Sequence, residues 1–179
     1  MTISELEARI ERVGVRMDAE IEAQAAKAGA DLVALVTNRV VQTGTASDGA
    51  SFTPYSTKEV PAFFYFNKSR NGSAEARVRA KAKKKEGISY RDFRALNNLN
   101  TAPKNFEFTG SMWRGFGVLR VARSATGVTV TIGGRNDDAE NKIEWGTEQE
   151  GKSIIRPSAG EIDTVKTNLQ RWVNSLLNG

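Results

Sequence analysis

Val128-Thr129-Val130-Thr131-Ile132-Gly133 alternates apolar with polar side chains, and Phe116 to Arg123 lies one short turn before it. Period-two alternation predicts a half-buried strand, and Thr126-Gly127 predicts the turn. Residues 116–133 are therefore expected to form an antiparallel hairpin with Val128, Val130 and Ile132 on one face. Two amphipathic helices are predicted to flank it. Near the N-terminus, Leu6, Ile10, Val13, Met17, Ile21, Ala25, Ala28, Leu32, Leu35 and Val36 recur at three- and four-residue steps. Ser4 with Glu7 suits a capping box at the start of that helix, and Thr43-Gly44 a stop. Gly14 and Gly29 interrupt it, each weakening a helix by about 1 kcal/mol relative to Ala, and predict bends or close packing. Near the C-terminus, Pro157 and a Ser158/Glu161 capping box open a helix with Ile162, Val165, Leu169, Trp172, Val173 and Leu176 on one stripe.

Between the first helix and the hairpin, residues 44–107 read as a long loop and helical insertion. Phe52, Tyr55, Phe63, Phe64, Tyr65 and Phe66 form an aromatic cluster there, expected to anchor the loop to the core in preference to the alternative of a ligand platform, since no histidine or carboxylate set accompanies it. Residues 73–86 predict a weak helix with only Ala74, Val78 and Ala82 on its apolar face, too thin to be stable alone. Ser89 with Asp92 predicts a second short helix through Leu99. Thr109-Gly110-Ser111 reads as a cap and turn before Met112 and Trp113. Arg135 to Glu140 reads as a turn, and Ser153 to Ile155 as a short strand. The expected fold is α+β, one domain over 1–179. A small antiparallel sheet is flanked by the long N-terminal and the C-terminal helix, with 44–107 inserted.

Composition narrows the chemistry. The 179 residues include no histidine and no cysteine. That removes disulfides, thiol chemistry, the usual general base and the commonest transition-metal ligand. No phosphate-binding glycine loop accompanies Gly133-Gly134, and no serine lies in a nucleophile-elbow pattern. The best carboxylate cluster, Asp137, Asp138, Glu140 and Glu144, falls where Asp suits a turn. No catalytic, cofactor-binding or metal residues are assigned, no cofactor is expected, and the chain reads as a non-enzyme. No apolar run approaches the length of a membrane span.

Charge is uneven. The net +5 comes from 26 basic and 21 acidic residues, yet residues 68–104 hold eleven basic against three acidic ones, +8, which leaves −3 elsewhere. Arg77, Arg79, Lys81, Lys83, Lys84 and Lys85 are its centre. Two readings stay open, a solvated helix face or contact with an anion, the latter most simply nucleic-acid backbone or an acidic subunit surface.

Four short segments occur in fixed order: Gly49-Ala50-Ser51-Phe52-Thr53-Pro54-Tyr55-Ser56, then Phe108-Thr109-Gly110-Ser111-Met112, then Trp145-Gly146, then Arg156-Pro157. Their order and spacing resemble the tail-completion and head–tail joining proteins of the tailed-phage neck. The matching positions are Gly49, Phe52, Pro54, Thr109, Gly110, Trp145, Gly146, Arg156 and Pro157. The chain departs from that pattern in lacking a histidine before the aromatic-Gly pair, in its long basic insertion, and in having no aromatic just after Arg156-Pro157. The resemblance implies a non-catalytic virion protein, made in the host cytoplasm and built into the junction between the DNA-filled head and the tail. It implies a ring of like subunits, commonly sixfold, touching the adjacent connector or stopper and the tail-terminator or tail-tube proteins. A tail-terminator ring, or a free-standing nucleic-acid-binding protein using 68–104, is the alternative.

Overall fold

The computed structural model describes residues 2–178. Helix α1 spans Ile3–Asn38 and runs on through a π-helical turn, Arg39–Thr43, to Gly44 in the left-handed region (φ 61). Its capping box is Thr2 with Glu5, two residues earlier than the Ser4/Glu7 pair expected. The hairpin forms as predicted. Strand β3 (Phe116–Ser124) pairs antiparallel with β4 (Gly127–Gly134), and a bulge at Leu119 shifts the register between Val118 and Arg120. The turn itself is Ala125-Thr126, because Ser124 already pairs with Gly127. The half-buried face of β4 packs on α1. At the crossing a Cβ on Gly29 would stand 2.5 Å from Val130 Cγ1 and 2.9 Å from Val118 Cγ2, so this glycine is there for close approach.

C-terminal helix α6 (Ala159–Asn178) lies along α1. The Ser158/Glu161 box is made, with Ser158 N–H donating to Glu161 Oε2 at 2.6 Å and Glu161 N–H to Ser158 Oγ at 3.3 Å. Its stripe is only partly covered. Leu176 is buried, Trp172 is half-buried with its indole N–H donating to Glu20 Oε2 at 3.1 Å, and Ile162 is exposed. Helix α1, the hairpin and the short helix α4 (Ser111–Gly115) enclose the main core, in which Val36, Val40, Phe52, Met112, Phe116, Ile143 and Ile154 meet.

Two expectations are corrected. Residues 135–140 are not merely a turn. They open helix α5 (Asp137–Glu150), where Asn136 Oδ1 accepts from Ala139 N–H and the acidic first turn faces the positive end of the helix dipole. Residues 153–155 form no strand; Ile154 lies instead in a bend, with its side chain plugged fully into the core.

The insertion is better built than its sequence suggests. Strands β1 (Glu59–Pro61) and β2 (Gly87–Ser89) form a second two-stranded ladder, separate from the hairpin. Helix α2 (Gly72–Lys83) buries Ala74 and Val78, and its thin apolar face is completed by Ala62, Tyr65, Phe66, Ile88 and Phe93 in a second cluster. Of the aromatic run, Tyr65 stacks on Phe93 at 4.3 Å, while Phe63 and Phe64 stack on each other in solvent. Helix α3 (Tyr90–Leu96) stops three residues short of Leu99. The Asn97 side chain turns back to donate to Phe93 O, and Asn98 takes φ 56. Among the described residues no helix is long and apolar enough to cross a membrane.

Candidate functional site

Three of the four motif segments, spread from Gly49 to Gly146, converge. A groove of about 660 Å³ opens between the two hydrophobic clusters, walled by Pro54, Tyr55, Phe106, Phe108, Met112 and Trp145.

The first wall comes from the loop after α1. Thr45 bridges Ser51, and Gly49 turns the loop at φ 80, a backbone conformation that glycine adopts freely. Phe52 is thereby dropped into the main core, edge-on to Phe106 with centroids 5.0 Å apart. Pro54 and Tyr55 follow at the groove wall. The second wall is the Thr109-Gly110 turn. Gly110 takes φ 73 ahead of α4, with Arg114 Nη1 3.0 Å from where its Cβ would be. The third is α5. Gly146 is buried, and a Cβ there would meet Ile154 Cδ1 at 2.8 Å and the Phe106 ring at 3.3 Å, so the glycine lets α5 close on the groove floor. Its neighbour Trp145 is 56% exposed at the rim, so of the two roles open to it from sequence, core or subunit contact, it does not fill the first. Trp113 is the indole that packs, against Phe116, and it donates to Asn105 O at 3.1 Å.

A polar hub that the sequence did not single out joins the walls. Arg94 is only 1% exposed, in contrast to the other cations of its basic run. Its Nε donates to Asn100 O at 2.8 Å, Nη1 to Glu107 O at 2.6 Å and Nη2 to Asn105 Oδ1 at 3.1 Å, and its Cζ lies 4.1 Å from the centre of the Tyr55 ring. All three acceptors are neutral, and no carboxylate pairs with Arg94 among the described residues. Tyr55 Oη donates to Asn105 Oδ1 and accepts from Asn105 N–H, and burial raises the hydroxyl's pKa against the opposing pull of Arg94. Beside the hub, Lys104 Nζ meets Glu150 Oε1 at 2.6 Å. Burial pushes the Glu150 carboxyl up, but hydrogen bonds from Lys104 and from Thr53 N–H outweigh it and hold it below the usual range. Lys142 bridges Asp138 and Ser111.

Arg156-Pro157 lies outside the groove. The Arg156 side chain is exposed and pairs with no carboxylate among the described residues; what matters is its carbonyl, which accepts from Arg39 Nη2 at 2.9 Å. Arg39 also pairs with Glu161 at 2.8 Å and donates to Thr45 O, tying the end of α1 to the first loop and to the cap of α6. Pro157 then leads into the Ser158 cap.

The basic residues sit elsewhere, on α2 and its C-terminal turn. Arg79 is engaged with Glu75 and Asn67, and Lys81 with Glu86. Arg77, Lys83, Lys84 and Lys85 are exposed and make no ion pair among the described residues. Asp137, Asp138 and Glu140 sit in the first turn of α5, and among the described residues no group of three or more acidic side chains could share a metal ion. The site as a whole is an apolar aromatic groove with a cationic hub, plus a separate free basic helix. It is suited to binding.

Comparison with protein-family models, with curated proteins and with solved structures finds no match to this chain.

Proposed function

We propose that the protein is a non-catalytic structural component of a tailed-phage virion neck, a ring-forming tail-completion or head–tail connector subunit. In this reading the basic helix α2 meets packaged DNA backbone. The observation that carries the proposal is the free charge on α2. Arg77, Lys83, Lys84 and Lys85 are exposed and make no ion pair among the described residues, on a helix and its C-terminal turn held by their own small cluster, at a distance in sequence from the groove-forming motifs. Self-repulsion among these cations is offset when phosphates supply counter-charge, and a ring repeats weak contacts until their sum is large. Contact through backbone phosphates alone has no sequence preference, as passage of a genome requires. Ring closure is also supported by the sheets. Both are two-stranded, so every strand has an open edge for another chain to pair or cover.

Joint replacement of Lys83, Lys84 and Lys85 by Gln tests this. The expected result is particles that assemble normally and lose packaged DNA. Loss of rings assigns α2 to the neighbouring subunit instead, and normal, DNA-filled particles refute both roles. If the purified monomer binds DNA tightly with a steep salt dependence, the free-standing nucleic-acid-binding alternative replaces the neck reading.

A further inference from the structure

We propose that Phe63 and Phe64, with Lys83, Lys84 and Lys85 beside them, form a site for single-stranded nucleic acid, the rings stacking on bases and the ammonium groups meeting phosphates. The inference rests on the reading that this module meets DNA, and it specifies the form of strand that the module prefers.

The two rings are held out on a fastened base. Pro61 leads into one 3₁₀ turn, Ala62–Tyr65, whose first residue is buried and whose last stacks on Phe93 at 4.3 Å. The next aromatic, Phe66, is covered by the Arg79 guanidinium, 4.8 Å from its ring centre. Asn67 N–H then donates to the Glu75 carboxylate on α2 at 3.2 Å. The turn is thus tied down on both sides, yet Phe63 is 57% and Phe64 53% exposed. Their planes lie within 25° of parallel with centroids 4.7 Å apart, so the pair offers flat aromatic faces to solvent. Phenyl rings carry no hydrogen-bonding group, so only contact with another apolar surface removes these faces from water.

The β1–β2 ladder brings the cations to the same place. Pro61 pairs with Gly87, so the end of β1 that continues into the two rings is the end of β2 that the lysines feed. Phe63 lies two residues after Pro61, and Lys85 two before Gly87. Lys85 occupies a position that ordinarily takes glycine. The chain leaves α2 through Lys85 at φ 58, with Lys85 N–H donating to Ala82 O and Glu86 N–H to Lys81 O. Glycine would adopt that backbone at less cost, so what the lysine adds is its charge. The acidic side chains at this end are Glu86, engaged by Lys81 at 3.3 Å, and Glu59, whose carboxylate lies over Gly87. The three lysines make no ion pair among the described residues and outnumber the one carboxylate left.

Uncovered flat rings beside unpaired cations fit a partner with flat faces and negative charge in one short span. Unpaired nucleotides carry both in every unit. A duplex offers the phosphates but keeps its base faces inside its own stack. Stacking on aromatic side chains is indifferent to sequence, and lysines meet phosphates as point charges without a fixed geometry.

Fluorescence anisotropy of a labelled dT oligonucleotide of about 12 nucleotides, and of a duplex of equal length, tests this at low salt. The isolated chain should bind the single strand weakly, with Kd about 10⁻⁵–10⁻⁴ M. That is expected to be about fivefold or more tighter than the duplex. Joint Phe63→Ala and Phe64→Ala substitution should abolish the preference and leave duplex binding unchanged. Lys85→Gly should lower the log–log salt slope for the single strand by about 0.7 without lowering the melting temperature, since glycine suits the left-handed backbone. Equal affinity for both forms, unchanged by the Phe substitutions, overturns the inference and leaves backbone contact by α2 standing. Phe-dependent binding to vesicles of phosphatidylserine and phosphatidylcholine, with no preference for the single strand, overturns it in favour of an anionic membrane surface. No binding of either DNA form also overturns it, and takes the DNA reading with it if the lysine variant above still gives DNA-filled particles.

Discussion

Gly29 and Gly14 both interrupt α1, and replacing each by Ala should move stability in opposite directions. In either case the helix gains about 1 kcal/mol of propensity, because Gly is entropically costly in a helix interior. At Gly14 nothing lies within 4 Å of the new Cβ, so the gain is uncompensated. At Gly29 the Cβ would stand 2.5 Å from Val130 Cγ1 and 2.9 Å from Val118 Cγ2. Both valines are stiff at χ1 and belong to a paired hairpin, so neither can swing away. Helix and sheet must separate instead, at the upper part of the roughly 1–3 kcal/mol typical of overpacking. The net expectation is a gain of about 1 kcal/mol for Gly14→Ala and a loss of about 1–2 kcal/mol for Gly29→Ala. For a chain of this length 1 kcal/mol shifts Tm by about 2–4 °C, so the melting temperatures should rise by about 2–4 °C and fall by about 2–8 °C. Circular-dichroism melts backed by urea titrations with unchanged m-values measure both. If Gly29→Ala stabilises as much as Gly14→Ala, the close crossing of α1 and the hairpin is wrong.

Arg94→Leu should cost about 3–5 kcal/mol, since it strands the carbonyls of Asn100 and Glu107 and takes from Asn105 Oδ1 one of its three donors, the others being Tyr55 Oη and Glu107 N–H. Arg94→Lys should rescue only a minor part, because one ammonium cannot reproduce the fork; urea unfolding reads both, and a mild effect of Arg94→Leu would show that the hub is not buried in solution. Glu150 has a folded pKa depressed below its usual 4.5, so its contribution to stability is present above that value and lost as pH falls through the folded pKa. Glu150→Gln should therefore flatten the acid limb of a stability-versus-pH profile, and a limb that stays as steep would mean the Lys104–Glu150 pair does not carry it.

The elements legible in the sequence are those whose signals are local. The alternation through Val128, Val130 and Ile132 reports a single pleated face, and Ser158 with Glu161 reports a cap three residues long. Helix α5 was hidden because its inward positions, Ala139, Ile143 and Gly146, include two small residues, leaving no hydrophobic stripe to read. The usable signal was Asn136 followed by acidic residues, which marks a helix start as well as a turn. Helix α2 looked marginal because the residues that complete its apolar face, Ala62 and Phe93 among them, come from outside its own window. Arg94 belongs to the basic run by sequence, and only tertiary burial separates it from Lys83 or Lys84. The motif segments were visible one by one, but their meeting at a single groove depends on contacts such as Tyr55 with Asn105, fifty residues apart.

The insertion departs and returns at one point. Gly44 adopts φ 61, and a Cβ there would sit 2.4 Å from Pro103 Cβ and 2.9 Å from the Lys104 carbonyl oxygen, so the chain leaving α1 touches the chain coming back. Everything between is a cassette whose two ends are already joined by the frame. The entropy of closing such an excursion grows only with the logarithm of its length, about 0.6 kcal/mol per doubling. Residues can thus be added to or trimmed from the basic module without re-registering α1, the hairpin or α6. The basic surface can thus change in length while the frame of α1, hairpin and α6 keeps its packing.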